Sequence, residues 1–157
     1  MIGVVGSDAK AEQVRQLGAE HVLVGTDDLS NRVRGLTRGK GVAVVYDSVG
    51  KDTFTASLDC LQPLGMMVTF GNASGPVPAI APLELARRGS LFLTRPMLFD
   101  YIRKTADLRK AAAELFALLG SGIVKIHIGQ TYRLADIAAA HAALEARKTS
   151  GSTVILP

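Results

Sequence analysis

Between Gly41 and Gly75 the chain reads GVAVVYDSVGKDTFTASLDCLQPLGMMVTFGNASG: an apolar strand, a helix and a second apolar strand, each strand running out into small polar residues. That order belongs to the nucleotide-binding kind of α/β sheet. In such sheets ligands lie beyond the carboxyl ends of the strands, so Asp47-Ser48-Val49-Gly50 and Gly71-Asn72-Ala73-Ser74-Gly75 both fall where a ligand would rest. The constraint is strong because Val42–Tyr46 is nearly continuous in apolar residues, the pattern of a strand buried on both faces.

The same alternation runs through the first hundred residues. Ile2 to Gly6 is a short apolar run, and Ser7 or Asp8 can cap a helix whose inner face is Ala11, Val14 and Leu17, with Gly18 stopping it. His21–Gly25 is the next run. Asp27 and Asp28 open a helix carrying Leu29, Val33 and Leu36, closed by Gly39-Lys40-Gly41. A helix with Phe54, Leu58 and Leu61 inward leads to the strand Met66–Phe70. The loosest stretch, GPVPAIAP, precedes a short helix from Pro82 to near Gly89 and a strand over Ser90–Thr94. Beyond it, Leu108, Ala112, Leu115 and Leu119 mark a long amphipathic helix after Thr105, ended by Gly120 and Gly122. IVKIHIG and QTYRL read as strand segments, Asp136–Arg147 as an alanine-rich helix and Thr153–Leu156 as a last strand.

Composition excludes several classes. At 157 residues, 48% hydrophobic and 20% charged, the chain can bury a core, which argues against disorder. Its formal charge of +4 suits a phosphate-bearing ligand or an ordinary basic surface. With aromatics at 5% there are few stacking platforms, so a nucleic-acid role ranks last. Cys60 is the one cysteine, which rules out an internal disulfide and any multi-cysteine zinc site and fits a reducing, cytoplasmic setting. There is no run of about 18 apolar residues, and MIGVVGSDAK has no basic region leading into an apolar stretch, so no membrane anchor is expected. Cys60, His21, His127 and His141 show no metal-ligand spacing, and Asp47 has no His or Ser partner that would suggest a triad. His141 shares a helix face with Ile137 and Leu144 and reads as a packed histidine. Catalytic residues are unassigned.

The segments VVYDSVG, SLDCL, FGNASG and GSLFLTRP resemble the zinc-independent quinone oxidoreductases, the zeta-crystallin-like branch of the medium-chain dehydrogenase/reductases. The resemblance covers essentially all 157 residues, which correspond to the C-terminal half of a family member. It implies an α/β fold: an incomplete Rossmann-like doubly wound parallel sheet lacking the first strand and the glycine-rich turn, with a C-terminal α/β tail. Residues 1–124 would form the partial dinucleotide-binding domain, and 125–157 a segment that in the family returns to the catalytic domain. In the order 3-2-1-4-5-6 the absent strand is central. Either its two neighbours pair directly, another chain fills the gap, or the sequence is part of a longer product.

The resemblance also implies an NADPH site. Cofactor choice is read after the family's second strand, where an NAD site usually places an acid on the ribose; here stand Gly6 and Ser7, with Lys10 one helical turn on. Ser7 and Lys10 would take the 2′-phosphate. The competing reading makes Ser7 and Asp8 caps and Lys10 a solvated charge. The tyrosine that many relatives bring after the third strand is replaced by Gly25-Thr26. Ser48 and Val49 would lie along the adenosine and its ribose. Phe70, Gly71 and Asn72, with Ser74 and Gly75 nearby, would approach the nicotinamide, whose carboxamide Phe92, Leu93 and Thr94 would face. Arg147 would reach the phosphates, or else simply favour a helix C-terminal turn.

Two functions follow. In the first, implied by the resemblance, the chain would be the NADPH-binding portion of an enzyme that passes hydride from NADPH to a quinone or electron-poor alkene, and would be inactive alone because one wall of the cleft is absent. The alternative is a non-catalytic dimerising nucleotide-binding module or remnant. In the family the Ser90–Thr94 strand pairs with its copy in a second subunit, so a homodimer is expected.

Overall fold

The computed structural model describes residues 1–146 and 148–157. The chain divides into two compact units, Met1–Leu98 and Phe99–Pro157. The expected boundary at 124/125 concerned the family's domains; within this chain the internal contacts part between Leu98 and Phe99.

The first unit begins with two parallel strands, β1 (Ile2–Val5) and β2 (His21–Val24), paired from Ile2 with His21 to Val5 with Val24. Helix α1 (Asp8–Gln16) crosses between them and buries Ala11 completely. It lies so close that a Cβ on Gly3 would stand 2.8 Å from Val14 Cγ1. Leu17, expected on the inner face, is 75% exposed because the helix has ended at Gln16. Helix α2 (Leu29–Leu36) buries Leu29 and Val33 but leaves Leu36 at its last turn partly open.

A second sheet runs in the order β3 (Val42–Asp47), β4 (Leu61–Thr69), β5 (Phe92–Thr94), all parallel, with α3 (Phe54–Asp59) and α4 (Leu83–Arg87) in the crossovers. The β3–β4 register jumps between Val42 with Leu61 and Val44 with Met66, since β4 bulges through Leu64, whose φ is +62°. Leu61 thus belongs to β4, while still packing with Phe54, Leu58, Met67 and Leu91 in the main core. A second cluster, Leu29, Val33 and Cys60, is joined by Ile2 and Leu23 from the first sheet and by Val42 and Val45 from the second.

One hydrophobic cluster therefore brings the two sheets side by side, yet β1 and β3 do not pair. Direct closure of the gap, the first of the three alternatives, does not occur. The observed order, β2-β1 then β3-β4-β5, is that of a doubly wound α/β sheet with its central strand missing. The consequence corrects the expectation for β3: it is not buried on both faces. Val44 is 41% and Tyr46 74% exposed, because only the α2–α3 face is covered.

The second unit starts in α5 (Leu98–Tyr101) and holds α6 (Thr105–Gly120), on which no residue is buried. Its strands β6 (Ile128–Arg133) and β7 (Ser152–Leu156) pair in parallel around α7 (Ile137–Glu145), which is preceded by a 3-10 turn over Leu134–Asp136. Ile123–His127 does not extend β6. The expected helix over Asp136–Arg147 is observed as far as Glu145; Arg147 lies outside the described residues. Ala140 is the buried residue of α7, and His141 beside it is exposed rather than packed, since one residue along a helix turns the side chain by about 100°.

Candidate functional site: a stitched double loop

Strands β3 and β4 end together, Asp47 opposite Thr69, so the loops that follow them meet. Six hydrogen bonds join the two. Phe70 N–H donates to Asp47 O (2.9 Å), Ala73 N–H to Ser48 O (3.2 Å), Ser74 N–H to Val49 O (2.8 Å) and Lys51 N–H to Gly75 O (3.2 Å). Ser74 Oγ accepts from Asp52 N–H (3.0 Å) and donates to Val49 O (2.9 Å). Contact this close demands glycine on both sides. Gly50 has φ +90°, and a Cβ there would lie 2.7 Å from Gly75 O; a Cβ on Gly71 would overlap the Ser48 carbonyl.

Asp47 anchors the assembly. It is 4% exposed, and its two oxygens divide the work. Oδ1 accepts from Val49 N–H (2.8 Å) and Gly50 N–H (3.0 Å) in the turn; Oδ2 accepts from Thr53 Oγ1 and Ser57 Oγ on and before α3, both at 2.7 Å. Burial pushes this carboxyl up, but the bonds from Gly50, Thr53, Ser57 and Val49 outweigh it and hold the group below the usual aspartate range. Sequence reading set Asp47 aside for want of a catalytic partner and missed Thr53 and Ser57. The signal was present: an aspartate three residues before a glycine is a turn former, and Thr53 and Ser57, four apart, share one helix face.

Beside the loops a partly open cavity of about 320 Å³ is lined by Phe54, Thr69, Asn72, Val77, Leu93 and Arg95. Thr69 Oγ1 is buried without a hydrogen-bond partner, and Arg95 donates to Gly71 O (3.2 Å). The structure thus brings together Ser48, Val49, Phe70, Gly71, Asn72, Ser74 and Gly75, with Leu93 reaching the cavity that Asn72 lines. Phe92 is 56% exposed on β5 and Thr94 half-buried opposite Val68. Ser7 stands at another turn, between β1 and α1, and Lys10 in the first turn of α1. Ser7 occupies the N-cap position and is exposed, but its hydroxyl makes no capping bond. Arg147 lies outside the described residues.

Among the described residues no three His, Cys, Asp or Glu side chains gather as a metal site, and no helix is long and apolar enough to cross a membrane. Cys60 is buried, and burial with the nearby Asp59 charge pushes its thiol up to about 11, against the pull of Arg34. It is a poor nucleophile.

A family model described as zinc-binding dehydrogenase matches residues 17–155. A quinone oxidoreductase of Salmonella typhimurium is 48% identical over 160 residues, spanning all of this chain and 49% of that protein. A 2-haloacrylate reductase of Burkholderia sp is 43% identical over 159 residues, again all of this chain and 48% of the other. The solved structure of Escherichia coli quinone oxidoreductase complexed with NADPH superposes with a TM-score of 0.93 at 45% identity, covering 99% of this chain and 49% of that one. The chain spans about half the length of the curated relatives it matches. It belongs to the zinc-binding dehydrogenase family, and corresponds to the C-terminal half of a quinone oxidoreductase of the medium-chain dehydrogenase/reductase superfamily.

Proposed function

We propose that this chain is the NADPH-binding portion of an oxidoreductase that passes a hydride to a quinone or an electron-poor alkene without a metal. The observation that carries this reading is the double loop. Backbone alone fits at Gly50 and Gly71, at the carboxyl ends of adjacent parallel strands, in a chain whose solved relative holds NADPH. Glycine there lets a flat, phosphate-linked ligand approach the main chain. NADPH would supply the hydride; the protein would orient its nicotinamide and exclude water.

In this reading Ser48 and Val49 follow the adenosine and ribose, and Phe70, Gly71, Asn72, Ser74 and Gly75 the nicotinamide, with Phe92, Leu93 and Thr94 toward its carboxamide. Ser7 and Lys10 take the 2′-phosphate, which the uncommitted Ser7 hydroxyl at the start of α1 supports. Residues 1–124 serve the nucleotide domain and 125–157 the return to the catalytic domain. The central strand, the glycine-rich turn and the second wall of the substrate cleft are supplied from outside these 157 residues, the strand filling the space between β1 and β3. The free edge of β5 extends into the same strand of a second copy in a cytoplasmic homodimer.

The test is a titration of the chain with NADPH and with NADH, followed by nicotinamide fluorescence, with the oligomeric state measured in the same sample. Selective NADPH binding that weakens on Lys10→Ala is expected; a folded chain that binds neither dinucleotide, or both equally, overturns the reading. Turnover of a simple quinone by the chain alone is expected to be absent, because the acceptor lacks half of its site.

A further inference from the structure

The side-chain hydrogen bonds of the double loop converge on Asp47 and Ser74. Asp47 is the buried charged group of the first unit. Each of its oxygens takes two donors, one pair from the Val49–Gly50 turn and the other from Thr53 and Ser57, so the carboxylate welds turn to helix. Ser74 does the same between the two loops, its hydroxyl accepting from Asp52 N–H and donating to Val49 O, the carbonyl that also takes Ser74 N–H. With its hydroxyl used in both directions, Ser74 is occupied inward. The outer surface of the loops is left to exposed Ser48, Asn72 and Ala73.

We propose that Asp47 and Ser74 are positioning residues, which hold the two loops as a single preformed cradle for the dinucleotide, the first loop under the adenosine ribose and the second under the nicotinamide. The inference rests on the NADPH reading above and gives these two side chains a role in it through the loops they hold, Ser74 following the nicotinamide with its backbone while its hydroxyl is turned inward. The physical reason is preorganisation. A loop already fixed by charge-assisted and backbone bonds loses little freedom when a ligand arrives, so binding energy is not consumed in ordering it. Asp47 suits this better than a neutral residue because it accepts only, and all four of its neighbours donate.

The role is tested with two ligands on the 157-residue chain: NADPH, which spans the cradle, and 2′,5′-ADP, which carries only the adenosine end. Asp47→Ala and Ser74→Ala are expected to weaken NADPH by about tenfold, with a smaller loss for 2′,5′-ADP, which lacks the nicotinamide. Asp47→Asn is expected to recover most of the loss. Its Oδ1 still accepts from Val49 and Gly50, and its Nδ2 donates to Thr53 and Ser57 hydroxyls that can turn to accept. Unchanged affinity for both ligands in variants that merely melt lower would overturn the inference, assigning the bonds to stability alone. So would a wild-type chain that binds 2′,5′-ADP no more weakly than NADPH. A wild-type chain that binds neither ligand overturns the NADPH reading itself, and this inference with it. Should Asp47→Ala fail to fold, the half-buried Ser74→Ala decides.

Discussion

Gly50 and Gly71 do at the scale of single residues what a larger side chain would prevent. Replacing Gly50 by Ala forces a Cβ against Gly75 O and strains a backbone at φ +90°, so Gly50→Ala is expected to cost about 1–3 kcal/mol in urea unfolding. Gly6→Ala, where nothing lies within 4 Å, should change little. Asp47 carries a pH signature. Its folded-state carboxyl titrates below the unfolded value, so its contribution is present above the unfolded value of about 4 and is lost as pH falls through the folded one. The melting temperature of the wild type should therefore fall more steeply below about pH 4 than that of Asp47→Asn. Cys60 should resist a thiol reagent at pH 8 until the chain is unfolded; rapid labelling of the native protein would contradict its burial. The roles differ in legibility. Glycines at strand ends and a buried Cys60 can be read from residue type, but four donors converging on Asp47 from two elements cannot.

Elements are tied together by arginines more than by caps. Arg88 donates to Asp59 at the end of α3 (2.7 Å) and to Glu84 within α4 (2.5 Å), and Arg34 donates to the Asp59 carbonyl (3.0 Å). These bonds join α2, α3 and α4 on one side of the second sheet. Arg88→Ala should lower the melting temperature by a few degrees, since Arg88 is only 24% exposed and both of its partners would lose a charged donor. Arg103→Ala, whose pair with Asp100 is open to solvent, should have no measurable effect. Apolar periodicity sufficed to locate α1, α2, α3 and the central strands. It failed at Ile123–His127, where an apolar alternation finds no neighbouring strand, and at the bulge through Leu64, where the register jump depends on where β3 begins.

At the scale of the whole molecule, the two sheets of the first unit share a core without sharing a ladder. Amide exchange should reflect this: Met67 and Val68, on the central strand of the three-stranded sheet, are expected to exchange far more slowly than the amides of α6, a helix without a buried residue. Equal protection in both would contradict that difference in burial. The sequence by itself determined the alternation of strands and helices and the parallel α/β class, and its resemblance to the quinone oxidoreductases implied the missing central strand. Local patterning encodes the alternation and the class: apolar strands at regular spacing, amphipathic helices between them and glycines at strand ends. Tertiary structure alone decided that β1 and β3 stay apart, that one face of β3 remains open and that Asp47 and Ser74 lock the two loops. Those outcomes depend on which elements meet in space, and residues 47 and 74 become partners only after two strands have aligned their ends.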